Sequence, residues 1–80
     1  MQISPPESRA ARGLLKWTLD QLAKESLVSV ATVKNFENEL RETTPANLVA
    51  IRGAFERAGV IFETDGKFVG VKIKVRRAKQ

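Results

Sequence analysis

The chain has 80 residues, with 14 Lys plus Arg against 9 Asp plus Glu, a formal charge of +5, and neither His nor Cys. That length allows one domain, 1–80, and 42% hydrophobic with 29% charged residues describe a compact globule, not a disordered tail. Disulfides, thiol chemistry, a zinc site and histidine-dependent acid–base catalysis each lack a required member, so no enzyme, metal or other cofactor is expected. The start Met1-Gln2-Ile3-Ser4-Pro5-Pro6 lacks the basic and apolar regions of a secretion signal, and no apolar run reaches membrane-spanning length. A cytoplasmic protein is the expectation.

The charge is unevenly placed. Residues 66–80 contain Lys67, Lys72, Lys74, Arg76, Arg77 and Lys79 with no acid, whereas residues 1–65 carry 8 basic and 9 acidic side chains. A basic C-terminal stretch on a near-neutral body points to a polyanion or a membrane surface. A solvated strand edge, protected from aggregation by lysines, accounts for it equally well.

In chain order, Ser4-Pro5-Pro6-Glu7 supplies a capping hydroxyl, a proline at the first helical position and a glutamate three residues after the cap. The helix it starts runs to about Lys16, with Ala10, Ala11, Leu14 and Leu15 towards the core and Arg9, Arg12 and Lys16 as a basic stripe. Gly13 weakens that helix by roughly 1 kcal/mol relative to Ala, which predicts a close helix crossing there. Thr18-Leu19-Asp20-Gln21 is a second capping box, opening a short helix with Leu22 and Ala23 inward. Ser29 caps a third helix in which Val33 and Phe36 share a face, and Trp17 reads as a core plug. Thr44-Pro45 starts a fourth helix with Leu48, Ile51, Phe55 and Ala58 as its inward stripe and Gly59 as its left-handed stop.

From Val60 the apolar period changes from about 3.6 to 2. Asp65-Gly66 is a type I′ hairpin signal, and a turn centred there pairs Thr64 with Lys67, Glu63 with Phe68, Phe62 with Val69 and Val60 with Val71. Val60, Phe62, Val69, Val71, Ile73 and Val75 then share one face, with Lys72, Lys74 and Arg76 on the other. In this register the second strand overhangs the first beyond Val71. Residues 72–76 need a further neighbour: the Gln2-Ile3-Ser4 segment, a second subunit or solvent.

The two short helices, Thr18 to about Ser26 and Ser29 to about Asn38, have the size and spacing of a helix-turn-helix. The stretch Thr18-Leu19-Asp20-Gln21-Leu22-Ala23-Lys24-Glu25-Ser26-Leu27-Val28-Ser29-Val30-Ala31-Thr32-Val33-Lys34-Asn35-Phe36-Glu37-Asn38 resembles the Xre/Cro family of helix-turn-helix regulators, through Leu22-Ala23, Val28-Ser29, Val33 and Phe36-Glu37. The similarity covers roughly residues 8–59. It implies a mainly α fold: a lambda repressor-like bundle of four to five helices at 4–59, here followed by a C-terminal β-hairpin at 60–76 and a basic tail at 77–80. It also implies operator DNA as ligand, a dimeric state, and an ion pair between Arg12 and Glu37. Two positions depart from the family pattern. Leu27 stands where the family usually has the turn glycine, and a left-handed non-glycine residue costs roughly 1–2 kcal/mol. Leu19 replaces a frequent glutamine that helps to hold phosphate.

By position in the motif, Ser29, Val30, Ala31, Thr32 and Asn35 are the candidates for base contacts. Asn35 suits a bidentate bond to adenine, Thr32 a base edge, and Val30 and Ala31 thymine methyl groups. Thr18, Lys34, Asn38 and Arg41 are the candidates for phosphate contacts, which position the protein without reading sequence. Val33, Phe36, Leu48 and Phe55 belong to the core. The expected function is therefore sequence-specific binding to double-stranded DNA by a transcriptional regulator, with the third helix, about 29–38, in the major groove. The rival expectation is a protein-interaction adaptor or antitoxin-like partner that uses strand 68–76 for β-addition, and a homodimer through that same strand is the expected assembly.

Overall fold

In the computed structural model, which describes residues 2–74, four helices are followed by a two-stranded antiparallel sheet. The helices are α1 (Pro5–Leu15), α2 (Leu19–Ser26), α3 (Val30–Glu37) and α4 (Pro45–Arg57); the strands are β1 (Val60–Phe62) and β2 (Val71–Ile73). Each helix begins on a hydroxyl cap. Ser4, Thr18, Ser29 and Thr44 accept the amides of Glu7, Gln21, Thr32 and Asn47, and the boxes at Ser4–Glu7 and Thr18–Gln21 are complete in both directions. The helices pack α2 on α3 and α4, and α1 on α3 and α4. Leu22, Val33, Ile51 and Phe55 form the fully buried centre, joined by Ile3, Ala11, Phe36, Leu48, Ala54 and Val60. Trp17 plugs one side, stacked on Phe55 with ring centroids 5.6 Å apart, and Phe62 meets Phe55 edge-on at 6.3 Å.

The inward face of α1 differs from the apolar expectation. It consists of Glu7, Ser8 and Ala11 with Leu15 beside them, while Ala10 and Leu14 are exposed. Polar Glu7 and Ser8 occupy core positions because both find partners there. Gly13 marks no helix crossing: a Cβ built on it meets nothing within 4 Å. In α4 the buried alanine near the C-terminus, beside Phe55, is Ala54; Ala58 is half-buried and caps the helix, and Gly59 follows with φ +99°.

The hairpin register is shifted by two residues from the expected one. Val60 pairs with Ile73, Ile61 with Lys72 and Phe62 with Val71. The turn has moved because the Asp65 carboxylate accepts the amides of Lys67 and Phe68, both at 2.7 Å, while its own amide donates to the Phe68 carbonyl. Gly66 and Lys67 therefore make the bend, and Gly66 lacks the positive φ that a type I′ turn demands. A shift of two preserves side-chain parity, so Val60, Phe62, Val71 and Ile73 still face the helices. Val69 drops out of the inward set and is 56% exposed. The expected overhang also closes up, since Ile73 opposes Val60 and the Lys74 amide reaches the Gly59 carbonyl at 3.2 Å. Val75, Arg76 and the 77–80 tail lie outside the described residues.

Candidate nucleic-acid interface

Helix α3 is anchored by its buried side, Val33, Phe36 and Glu37. The outward side carries Val30, Ala31, Lys34 and the cap residue Asn38, all exposed, with Thr32 and Asn35 half-buried on its flanks. The Ser29 hydroxyl is engaged at the helix start. It accepts the Thr32 amide at 3.1 Å and donates to Thr32 Oγ1 at 2.8 Å. Thr32 thus keeps a hydroxyl proton for an outside acceptor, and Ser29 does not. Lys34 is the lone cation of α3, and exposed Arg41 follows in the loop to α4.

Thr18 sits at the start of α2, where Gln21 Oε1 accepts its amide at 2.8 Å and its hydroxyl accepts the Gln21 amide at 3.0 Å. The first-turn amides of Leu19 and Asp20 have no acceptor within the helix and lie at its positive end. The turn between α2 and α3 is made at Leu27, in a left-handed conformation with φ 61° and ψ 27°. It delivers Val28 to the core and Ser29 to the cap.

The orientation of α3 is held from α1. Glu37 is 2% exposed, and its carboxylate accepts Arg12 Nη2 at 2.6 Å, Arg12 Nε at 2.9 Å and the Ser8 hydroxyl at 2.5 Å. Arg12 also reaches the Trp17 carbonyl at 3.1 Å. The hydrogen bonds that Arg12 donates to Glu37 outweigh the penalty of burial and raise the affinity of its guanidinium for the proton. Arg9 donates to the Glu37 main-chain carbonyl and lies 3.6 Å from Glu39, placing a cation at the negative end of α3. Of the basic stripe of α1, Arg12 is therefore directed into the protein, Arg9 stays exposed while bonded to the end of α3, and Lys16 is exposed. Ser8 was not legible as a member of this cluster, although its spacing of four from Arg12 puts both on one helical face.

Glu7 makes the cap expected of it, but its burial and its tie to the hairpin were not legible. It is buried, takes the Ser4 amide at 2.8 Å and accepts a hydrogen bond from Thr64, tying α1 to the hairpin. Burial pushes its pKa up, but the bonds from Thr64 and Ser4, with Arg52 nearby, outweigh this and leave it below the ordinary value. The hairpin lies on the side of α1 and α4. Of the basic residues of the C-terminal stretch, Lys72 is paired with Glu63 at 3.0 Å, and Lys67 and Lys74 are exposed.

No curated protein is similar enough to count as a match. A family model described as helix-turn-helix matches residues 9–58, from Arg9 of the α1 clamp to the cap of α4. No helix among the described residues is long and apolar enough to cross a membrane. Matched over more than half its length, and folded as four helices with α2 and α3 joined by a tight turn, the chain belongs to the helix-turn-helix family of Xre- and lambda repressor-like DNA-binding regulators.

Proposed function

We propose that the chain is a sequence-specific transcriptional regulator of the cytoplasm that inserts α3 into the major groove of duplex DNA. The observation that carries this reading is the division of α3 into a buried side clamped through Glu37 and an outward side of small, uncharged or cationic residues. Ala31, Thr32 and Asn35, with Ser29 and Val30 at the helix start, meet base edges; Asn35 suits adenine, and the Thr32 hydroxyl suits an acceptor on either strand. Lys34, Asn38, Arg41 and the Thr18 end of α2 meet phosphates on the two sides of the groove. The whole chain acts as one unit, with the 4–59 bundle reading DNA and the β1–β2 hairpin bracing α1 and α4.

Selection from random duplexes at two salt concentrations tests the proposal. Enrichment of a defined motif is expected, with a log-affinity versus log-salt slope of a few units. Absence of binding to any duplex, or binding without sequence preference, overturns it.

A second copy of the chain is the proposed partner, and the support is the outer part of the hairpin, where Phe68 and Val69 are 70% and 56% exposed. Sedimentation should show dimers that a Phe68→Glu change dissociates. The rival is strand addition of a different protein to 68–76: pairing with β1 occupies one edge of β2, and a tight protein partner found together with no affinity for duplex DNA would favour it.

A further inference from the structure

We propose that Leu27 reads sequence: beside Val30, its side chain supplies an apolar surface for a thymine C5-methyl group in the major groove. This rests on the DNA-binding reading above and goes further, because the residue that ordinarily only turns the chain becomes a contact. Leu27 caps α2 in the left-handed region and is 93% exposed. Its backbone role, donating its amide to the Ala23 carbonyl, is one that glycine performs without strain. The side chain lies outside the core, so within the chain it brings strain and exposed apolar area together and little packing in return. Such strain concentrates where a residue serves a ligand.

Lys16 and Glu39 are also left-handed, but both are charged and solvated, and Glu39 faces Arg9. Among the described residues Leu27 is the apolar member of that group. Its place in the chain gives the ligand. Val28 turns inward, Ser29 caps α3, and Val30 opens α3 at 42% exposure. Leu27 and Val30 therefore flank the helix start that approaches base edges when a helix-turn-helix docks. On those edges the thymine methyl is the distinctive apolar feature. The other large exposed apolar side chains, Leu14, Leu40, Val49, Ile61, Phe68 and Val69, lie on α1, on the loop after α3, on α4 and on the hairpin, and none is in the turn between α2 and α3 or on α3.

The test uses the full chain and the duplex enriched by selection, with each thymine replaced in turn by uracil, which removes only the methyl group. For the native chain, replacement at one or two positions near the helix start should weaken binding about fourfold, the value of one buried methyl. Leu27→Gly and Leu27→Asn, both suited to a left-handed backbone, should lose a similar factor on the thymine duplex and become indifferent to uracil there. A melting temperature no lower than that of the native chain would show that both variants fold. Native-like affinity with retained uracil sensitivity in the variants, or no uracil sensitivity in the native chain, overturns the role of Leu27. Failure of the native chain to bind any duplex overturns the DNA-reading proposal itself, a result distinct from the other two.

Discussion

Glu37 concentrates more polar contacts than any residue around it, and its energetics follow from burial. A carboxylate withdrawn from water is tolerable when several donors surround it, and here Ser8 and Arg12 supply them. Removing the carboxylate as Glu37→Ala should cost about 3–5 kcal/mol in urea denaturation, because the Arg12 guanidinium is left without its counter-charge. Replacing both partners with methionine should recover much of that loss; a double variant as unstable as the single one would show that the pair is net stabilising. Gly13 offers the opposite case. It is helical, exposed and has open space where a Cβ would go, so Gly13→Ala should stabilise the chain by about 1 kcal/mol, read as a rise in the urea midpoint. An unchanged or lowered midpoint would mean that the last turn of α1 needs glycine for a reason outside its packing.

Between elements, the hairpin is tied down by close backbone approach. A Cβ on Gly70 would lie 2.8 Å from the Glu63 carbonyl oxygen, and the Glu63 amide donates to the Gly70 carbonyl at 2.7 Å. Gly70→Ala should cost about 1–3 kcal/mol, with hydrogen-exchange protection lost first at Phe62, Glu63 and Val71 and retained in α2 and α4. Uniform loss of protection would show that hairpin and helices unfold as one unit. Thr64 and Glu7 form the other tie. Sequence periodicity located the hairpin and its inward parity but missed its register. Two-residue turns at Asp65-Gly66 and Gly66-Lys67 leave the same side chains on the same faces, and the choice between them falls to the Asp65 side chain and to the extra rung that Ile73 makes with Val60.

At the scale of the whole molecule, acid and salt report on different parts. Glu7 has a folded pKa below its unfolded value, so its contribution is complete above about pH 5 and is lost as pH falls through the folded value. Asp65, held by the Lys67 and Phe68 amides, shifts in the same direction. The melting temperature should therefore be level near neutrality and decline below about pH 4, and Thr64→Val should make that decline shallower. A Thr64→Val profile parallel to that of the native chain would remove Glu7 from the account. Salt dependence of DNA binding should flatten by about one unit on substituting Lys34 or Arg41, and should not change on substituting Lys72 and Lys74, which lie on the hairpin side with Lys72 already paired to Glu63. A flatter slope in the Lys72 and Lys74 variant would place the hairpin along DNA. Sequence alone specified the four helix starts, the helix-turn-helix and three members of the inward stripe of α4, Leu48, Ile51 and Phe55, because hydroxyl caps, prolines and a 3.6-residue apolar period act over a few neighbouring residues. The inward polar face of α1, the donors around Glu37, the link from Glu7 to Thr64 and the hairpin register were decided only in the tertiary structure. The first three depend on partners distant in the chain, from 25 residues between Arg12 and Glu37 to 57 between Glu7 and Thr64, and no local pattern encodes which buried polar groups will meet; the register turns on the Asp65 side chain and the Val60–Ile73 rung, which side-chain parity does not distinguish.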